Sequence, residues 1–207
     1  MSRTRIKICG ITREEDLRSA VLLGADALGL VFYPPSPRYL SAPRAAQLAR
    51  LMPPFVTSVG LFVNEDARVV QSILKAVPLQ LLQFHGEEDD GYCAQFGLPY
   101  IKAARVRPGL DLLEYAESFP GACGLLLDAH VDSYGGAGKT FDWRLIPESL
   151  PLPLILSGGL HAGNVAAALA AVRPWAVDVS SGVESAGGIK DAKLIAEFIA
   201  GVRSTDV

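Results

Sequence analysis

Cysteine is scarce: 3 of 207 residues, at Cys9, Cys93 and Cys123. An odd number at irregular spacing builds neither a disulfide framework nor a zinc site, and it fits a reducing cytoplasm. Histidine is equally rare, and His85, His130 and His161 are too scattered for a metal centre. No GxGxxG segment occurs, which removes the dinucleotide-binding fingerprint. Positive charge is not in excess. The net charge is −3, so the basic footprint of a nucleic-acid or membrane-surface binder is missing. Long apolar runs are missing too. The stretch from Ala20 to Pro35 is interrupted by Gly24 and Asp26 and is too short and polar to span a membrane. No basic segment followed by an apolar one opens the chain, so no signal peptide is expected.

What remains is half hydrophobic, enough for one domain over 1–207 with a sizeable core. Short β-branched or leucine-rich runs stand at 5–9, 26–32, 56–63, 79–84, 99–104, 123–128, 152–156 and 175–180. Their spacing is close to one βα unit. Helical stretches lie between them. From Asp66, the residues Val69, Val70, Ile73, Leu74 and Val77 share one face, and Leu194, Ile195, Phe198, Ile199 and Val202 do the same near the end. Alanine- and leucine-rich stretches at 43–52 and 163–172 read as helices, and Thr12 with Glu15 reads as a capping box. Pro108, Gly109 and Pro120 shorten the helix after the fifth run. Strands alternating with helices predict a parallel sheet covered by helices, and eight of them predict a closed (β/α)₈ TIM barrel. A doubly wound open sheet with fewer strands shares the same periodicity.

Both architectures put ligands at the C-terminal ends of the strands, so the residues just after each run carry the chemistry. Ser157-Gly158-Gly159 and Ser180-Ser181-Gly182 follow the last two runs. Their small residues let backbone N–H groups approach an anion, and loops 7 and 8 are the recurrent phosphate position in such barrels. Asp128 ends the sixth run ahead of a long polar loop, where a partly buried carboxyl can serve as an acid. The glycines from Gly135 to Lys139 in that loop lack P-loop spacing. Cys9, at the tip of the first strand, is either a small buried hydrophobe or a nucleophile or base; Cys93 and Cys123 read as the former. Arg38, in a proline-stiffened loop, is either solvated or a bidentate grip for a substrate carboxylate. His85 either touches substrate or bonds locally. Lys7 and Asp178 stand on inward positions of the first and eighth strands, which adjoin if the barrel closes. Two charges so placed are expected to pair.

The ordered set Lys7-Ile8-Cys9-Gly10-Ile11-Thr12, Gln83-Phe84-His85-Gly86, Leu127-Asp128, Gly135 to Trp143, Ser157-Gly158-Gly159-Leu160 with Asn164-Val165, and Asp178 to Glu184 closely resembles the phosphoribosylanthranilate isomerases of tryptophan biosynthesis. The resemblance runs nearly end to end, with Phe84 and Ala137 as small departures. It implies a (β/α)₈ barrel and a cofactor-free Amadori rearrangement of a small-molecule substrate. It also implies Cys9 as general base, Asp128 as general acid, Arg38 on the anthranilate carboxylate and Asp178 beside the substrate. The phosphate would be held by Gly158, Gly159, Ser180, Ser181 and Gly182. A cytoplasmic monomer or homodimer is expected. An analogous sugar-phosphate isomerase built on aspartates at strands 1 and 5 does not fit Cys9 and Ala104-Arg105. A phospho-ligand binder without turnover is the rival from another class.

Overall fold

The computed structural model describes residues 3–129 and 140–205. Every apolar run becomes a strand: β1 (Arg5–Cys9), β2 (Ala27–Val31), β3 (Thr57–Phe62), β4 (Leu81–Phe84), β5 (Tyr100–Val106), β6 (Gly124–Ala129), β7 (Leu154–Leu156) and β8 (Ala176–Val179). All neighbouring pairs are parallel. The pairing of β8 with β1 closes the barrel, so the open-sheet alternative falls. The fifth strand runs on to Val106, past Arg105, which the sequence places at its tip.

Seven α-helices cover the barrel among the described residues: α1 (Glu14–Leu23), α2 (Ala42–Ala49), α3 (Ala67–Ala76), α4 (Asp90–Ala94), α5 (Leu112–Glu117), α6 (Val165–Val172) and α7 (Ala192–Arg203). In the described part of the sixth connection a 3₁₀ turn stands at Trp143–Leu145. The glycine segment from Gly135 to Lys139 lies outside the described residues. Asp66 caps α3 by accepting from the Arg68 amide, and Asp191 caps α7 by accepting from Lys193 and Leu194. The apolar face of α7 buries Ile195, Phe198, Ile199 and Val202 as its periodicity requires. On α3, Val70 and Ile73 turn inward while Val69 is exposed.

Two expectations are corrected. The capping residue of α1 is Arg13, which makes no side-chain cap, and Thr12 is not part of a capping box. The Thr12 hydroxyl instead donates to the Gly188 carbonyl, in a short antiparallel hairpin of β9 (Glu184–Ala186) and β10 (Ile189–Lys190) between β8 and α7. A carbonyl from that hairpin displaces the helix amide as the hydroxyl's partner. Asp16 strengthens the same junction: it accepts from the Lys190 amide and pairs with Arg13. Cys123 is exposed, just ahead of β6, whereas Cys93 is buried.

Strand alternation sorts the side chains. Outward residues such as Ile6, Ile8, Leu28, Leu30, Phe62 and Phe84 form the main core with the helices, Phe198 among them. Inward residues Leu81, Ile101, Ala103, Leu126, Ile155 and Ala176 close the barrel's floor. At the next inward position of four of these strands stand Gln83, Asp128, Ser157 and Asp178. The floor is apolar and the storey above it is polar.

Candidate active site

The polar storey opens into a cavity of about 690 Å³, open to solvent, at the C-terminal mouth. Cys9, Arg38, His85, Asp128 and Asp178 line it, as do Gly158, Gly159, Ser180 and Ser181. The structure thus brings together nearly every residue singled out from the sequence. Gly182 is the exception and stands behind the wall. A Cβ there would lie 1.9 Å from the Leu160 carbonyl oxygen, so this position must be glycine for the two adjacent loops to meet.

Three clusters organise the site. The first sits where β1 meets β8. Lys7 and Asp178 are register partners, and Lys7 Nζ donates to Asp178 Oδ1 at 2.7 Å. The expected pair therefore forms, with each residue only 5% exposed. Asp178 Oδ2 also accepts from Ser157 Oγ at 3.3 Å. Burial alone would lower the Lys7 ammonium, but Asp178, together with Cys9, overcomes it and holds Lys7 up at about 12. Cys9 lies in the same cluster. Burial pushes its thiol up and the Asp178 charge adds to that, while Lys7 and Lys190 pull it down. A thiol lowered towards neutral pH, which a resting thiolate would need, is not what this cluster holds.

The second cluster was not legible in the sequence. Arg38 does not wait free in its loop. Its Nε and one terminal nitrogen donate to Glu184 Oε1 and Oε2 at 2.8 and 2.7 Å. Lys190 Nζ donates to the same Oε1 at 2.7 Å and to the Ser180 carbonyl at 3.1 Å. Burial would raise Glu184, but Arg38 and Lys190 hold it below the usual carboxylate range. Two cations share one anion here, so the cluster keeps a positive charge facing the cavity. Glu184 belongs to a segment already notable in the sequence. Lys190 gives no sequence signal, because its role arises only when the hairpin folds back on β8.

The third cluster joins β4 and β6. His85 Nε2 lies 3.2 Å from Asp128 Oδ2, and His85 Nδ1 lies 3.0 Å from Gln83 Nε2. The ring's nitrogens thus face protein partners. Asp128 Oδ1 accepts from the Ala129 amide at 2.8 Å.

Between the clusters run the small-residue loops. Gly158 and Gly159 have φ of 81° and 63°. Asn164 pins them, donating to the Gly159 carbonyl at 3.0 Å and accepting from the His161 amide at 2.8 Å. The Ser180 hydroxyl donates to the Cys9 carbonyl at 3.0 Å, tying the last loop to the first strand. Among the described residues no cluster of three His, Cys, Asp or Glu side chains is placed to hold a metal ion.

The family model described as N-(5'phosphoribosyl)anthranilate (PRA) isomerase matches residues 6–201. The N-(5'-phosphoribosyl)anthranilate isomerase of Dechloromonas aromatica (strain RCB) is 63% identical over 204 residues, covering 99% of this chain and 98% of that one. The crystal structure of phosphoribosyl anthranilate isomerase from Thermotoga maritima superposes with a TM-score of 0.87 at 44% identity, covering 97% and 99% of the two chains. A further phosphoribosyl anthranilate isomerase, solved in complex with reduced 1-(o-carboxyphenylamino)-1-deoxyribulose 5-phosphate, superposes at 0.81 with 39% identity over 97% and 99%. With its barrel and nearly its whole length matched, the chain belongs to the N-(5'-phosphoribosyl)anthranilate isomerase family.

Proposed function

We propose that this chain converts N-(5-phosphoribosyl)anthranilate to 1-(2-carboxyphenylamino)-1-deoxyribulose 5-phosphate, the Amadori step of L-tryptophan biosynthesis. One observation carries the reading: a thiol, a carboxyl, an anchored arginine and two small-residue loops converge on a single cavity. A ligand with phosphate at one end, carboxylate at the other and a ribose between them matches that distribution. The complex of a relative with a reduced analogue of this product supports it.

In this reading Asp128, protonated, donates to the furanose ring oxygen. The ring opens and leaves a protonated imine. Cys9 removes the C2′ proton that the imine has acidified, and the resulting enolamine tautomerises to the ketone. Arg38, held flat by Glu184, turns its remaining N–H groups to the anthranilate carboxylate. Gly158, Gly159, Ser180 and Ser181 hold the phosphate, Gly182 shapes their junction, and Asp178 with His85 borders the ribose. Gripping both ends fixes the reacting carbon between acid and base. The raised thiol of Cys9 gives the reaction a sign: the thiolate fraction, and with it turnover, grows as pH rises from neutral.

The test is the loss of substrate fluorescence with purified protein, compared with Asp128→Asn and Cys9→Ala. Turnover by the wild type and none by the variants supports the assignment. Near-wild-type rates in either variant remove that residue from its role. Substrate binding without turnover by the wild type would favour the silent binder.

A further inference from the structure

The cavity's lining is poorly charged for an anionic ligand. Among the described residues it carries one permanent cation, Arg38, beside the carboxyl groups of Asp128 and Asp178. Glu184 already takes two of the Arg38 hydrogen bonds, and Lys7 answers Asp178. The surplus positive charge comes from behind the wall. Lys190 is not part of the lining, and its side chain is 0% exposed. The proposed mechanism gives it no part.

Three acceptors surround Lys190 Nζ: Glu184 Oε1 at 2.7 Å, the Ser180 carbonyl at 3.1 Å and Ser180 Oγ at 3.4 Å. The Ser180 hydroxyl gives its own hydrogen to the Cys9 carbonyl, so towards Lys190 it can only accept. Three acceptors need three hydrogens, which an ammonium has and a neutral amine lacks. Burial lowers that ammonium, while Glu184 at contact distance and Cys9 oppose the burial. The backbone holds the lysine in place. It is the register partner of Glu184 in the hairpin, and its amide donates to Asp16 at 3.1 Å.

We infer that Lys190 is a positioning residue serving both ends of the ligand: it answers the charge of Glu184, leaving that of Arg38 to the substrate carboxylate, and it turns the Ser180–Ser181 peptide so that the Ser181 amide faces the phosphate. The first half follows from the charges. Arg38 and Glu184 alone make a neutral pair. With Lys190 the three carry one net positive charge, and Arg38 is the member that reaches the cavity. The second half follows from peptide geometry. In a trans peptide the carbonyl and the following N–H point in opposite directions. The Ser180 carbonyl is drawn back to Lys190, so the Ser181 N–H is directed forward, and it has no partner among the described residues. Without the ammonium, that carbonyl keeps only the longer bond from the Val183 amide, at 3.4 Å. Turned towards the cavity, it would aim a negative dipole at the phosphate.

The inference rests on the substrate reading, with carboxylate at Arg38 and phosphate at Ser180 and Ser181, but not on the roles of Cys9 and Asp128. Equilibrium binding therefore tests it. Two probes serve: reduced 1-(o-carboxyphenylamino)-1-deoxyribulose 5-phosphate and its phenylamino counterpart, which lacks the carboxylate. Calorimetry on the full-length protein gives Kd for each. Lys190→Met strands no charge, because Glu184 keeps Arg38. It should weaken the carboxylated probe about 100-fold and the other about 10-fold, the range of charge-assisted contacts. Adding Glu184→Gln removes the anion that Lys190 answered. The double variant should regain about 10-fold for the carboxylated probe and nothing for the other, a selective recovery that a merely loosened hairpin would not give. Should Lys190→Met fail to fold, Lys190→Gln, which retains a donor for Ser180, should lose about 10-fold on the carboxylated probe alone. Wild-type affinities in the Lys190 variants overturn the inference, and so do losses on both probes that Glu184→Gln leaves untouched. A wild type that binds neither probe, or both alike, removes the substrate reading, and the inference falls with it.

Discussion

Two storeys of the barrel interior are built on the same strands and differ in every physical respect. The floor, with Leu126, Ile155 and Ala176, is apolar and close-packed. One inward position further along, the same three strands carry Asp128, Ser157 and Asp178, which face the cavity. The floor stabilises by excluding water, at about 25 cal/mol per Å² of apolar surface removed from it. The upper storey keeps charges where water is scarce, and it survives because each charge has a partner. The same parallel register thus supports two tasks, and stability and reactivity should respond to different substitutions a single turn of the pleat apart.

That contrast can be broken. The largest effect is expected on the catalytic side: Asp128→Asn and Cys9→Ala should each lower kcat roughly 100- to 10,000-fold with little change in Tm. Lys7→Met tests whether the upper storey also bears on stability. It strands the Asp178 carboxylate and should destabilise the fold by about 3–5 kcal/mol, most of it regained on adding Asp178→Leu. Activity should not return with it, since the thiol of Cys9 loses the ammonium that opposes its burial. In the floor, Leu126→Ala should cost about 2–5 kcal/mol of stability by leaving a cavity, while the folded fraction keeps its kcat. A kcat loss there matching that of Asp128→Asn would erase the distinction between the storeys. Arg38→Ala should raise KM roughly 10- to 100-fold, the worth of a charge-assisted hydrogen bond. An aniline analogue of the substrate, lacking the carboxylate, should be bound equally by both proteins. The smallest effect is on the pH dependence of stability. Lys7 is raised in the fold, so its contribution is complete below its ordinary 10.5 and is lost as pH climbs towards about 12. Glu184 is lowered, so its contribution is present above its ordinary 4.5 and fades as pH falls through its folded value. Equilibrium unfolding across those two windows reads both, and Lys7→Met should flatten the alkaline one.

Much of this was visible in the chain itself. The eight runs, their spacing and the inward positions of Lys7 and Asp178 depend only on strand alternation and closure, both properties of local pattern and count. The strand tips then named most of the cavity's lining. Thr12 misled because its local pattern suits a capping box, while its hydroxyl finds a partner in a hairpin far along the chain. Glu184 and Lys190 were opaque for a related reason. Strands as short as β9 and β10 leave no periodic trace, and Arg38 meets Glu184 across 146 positions of sequence. A general base at Cys9 asks for a thiolate. The fold buries it, and desolvation is the larger influence.

Gly29 lies opposite Cys9 in the β1–β2 ladder, and a Cβ on it would stand 2.7 Å from Cys9 Sγ. The proposed base therefore sits in a socket moulded by what a neighbouring strand leaves out. A mutational survey confined to side chains that touch a ligand would pass over this position. Yet Gly29→Ala would alter none of those side chains and still displace the sulfur. Anyone redesigning this mouth for a different base inherits the same mould, and must choose the residues at positions 9 and 29 together.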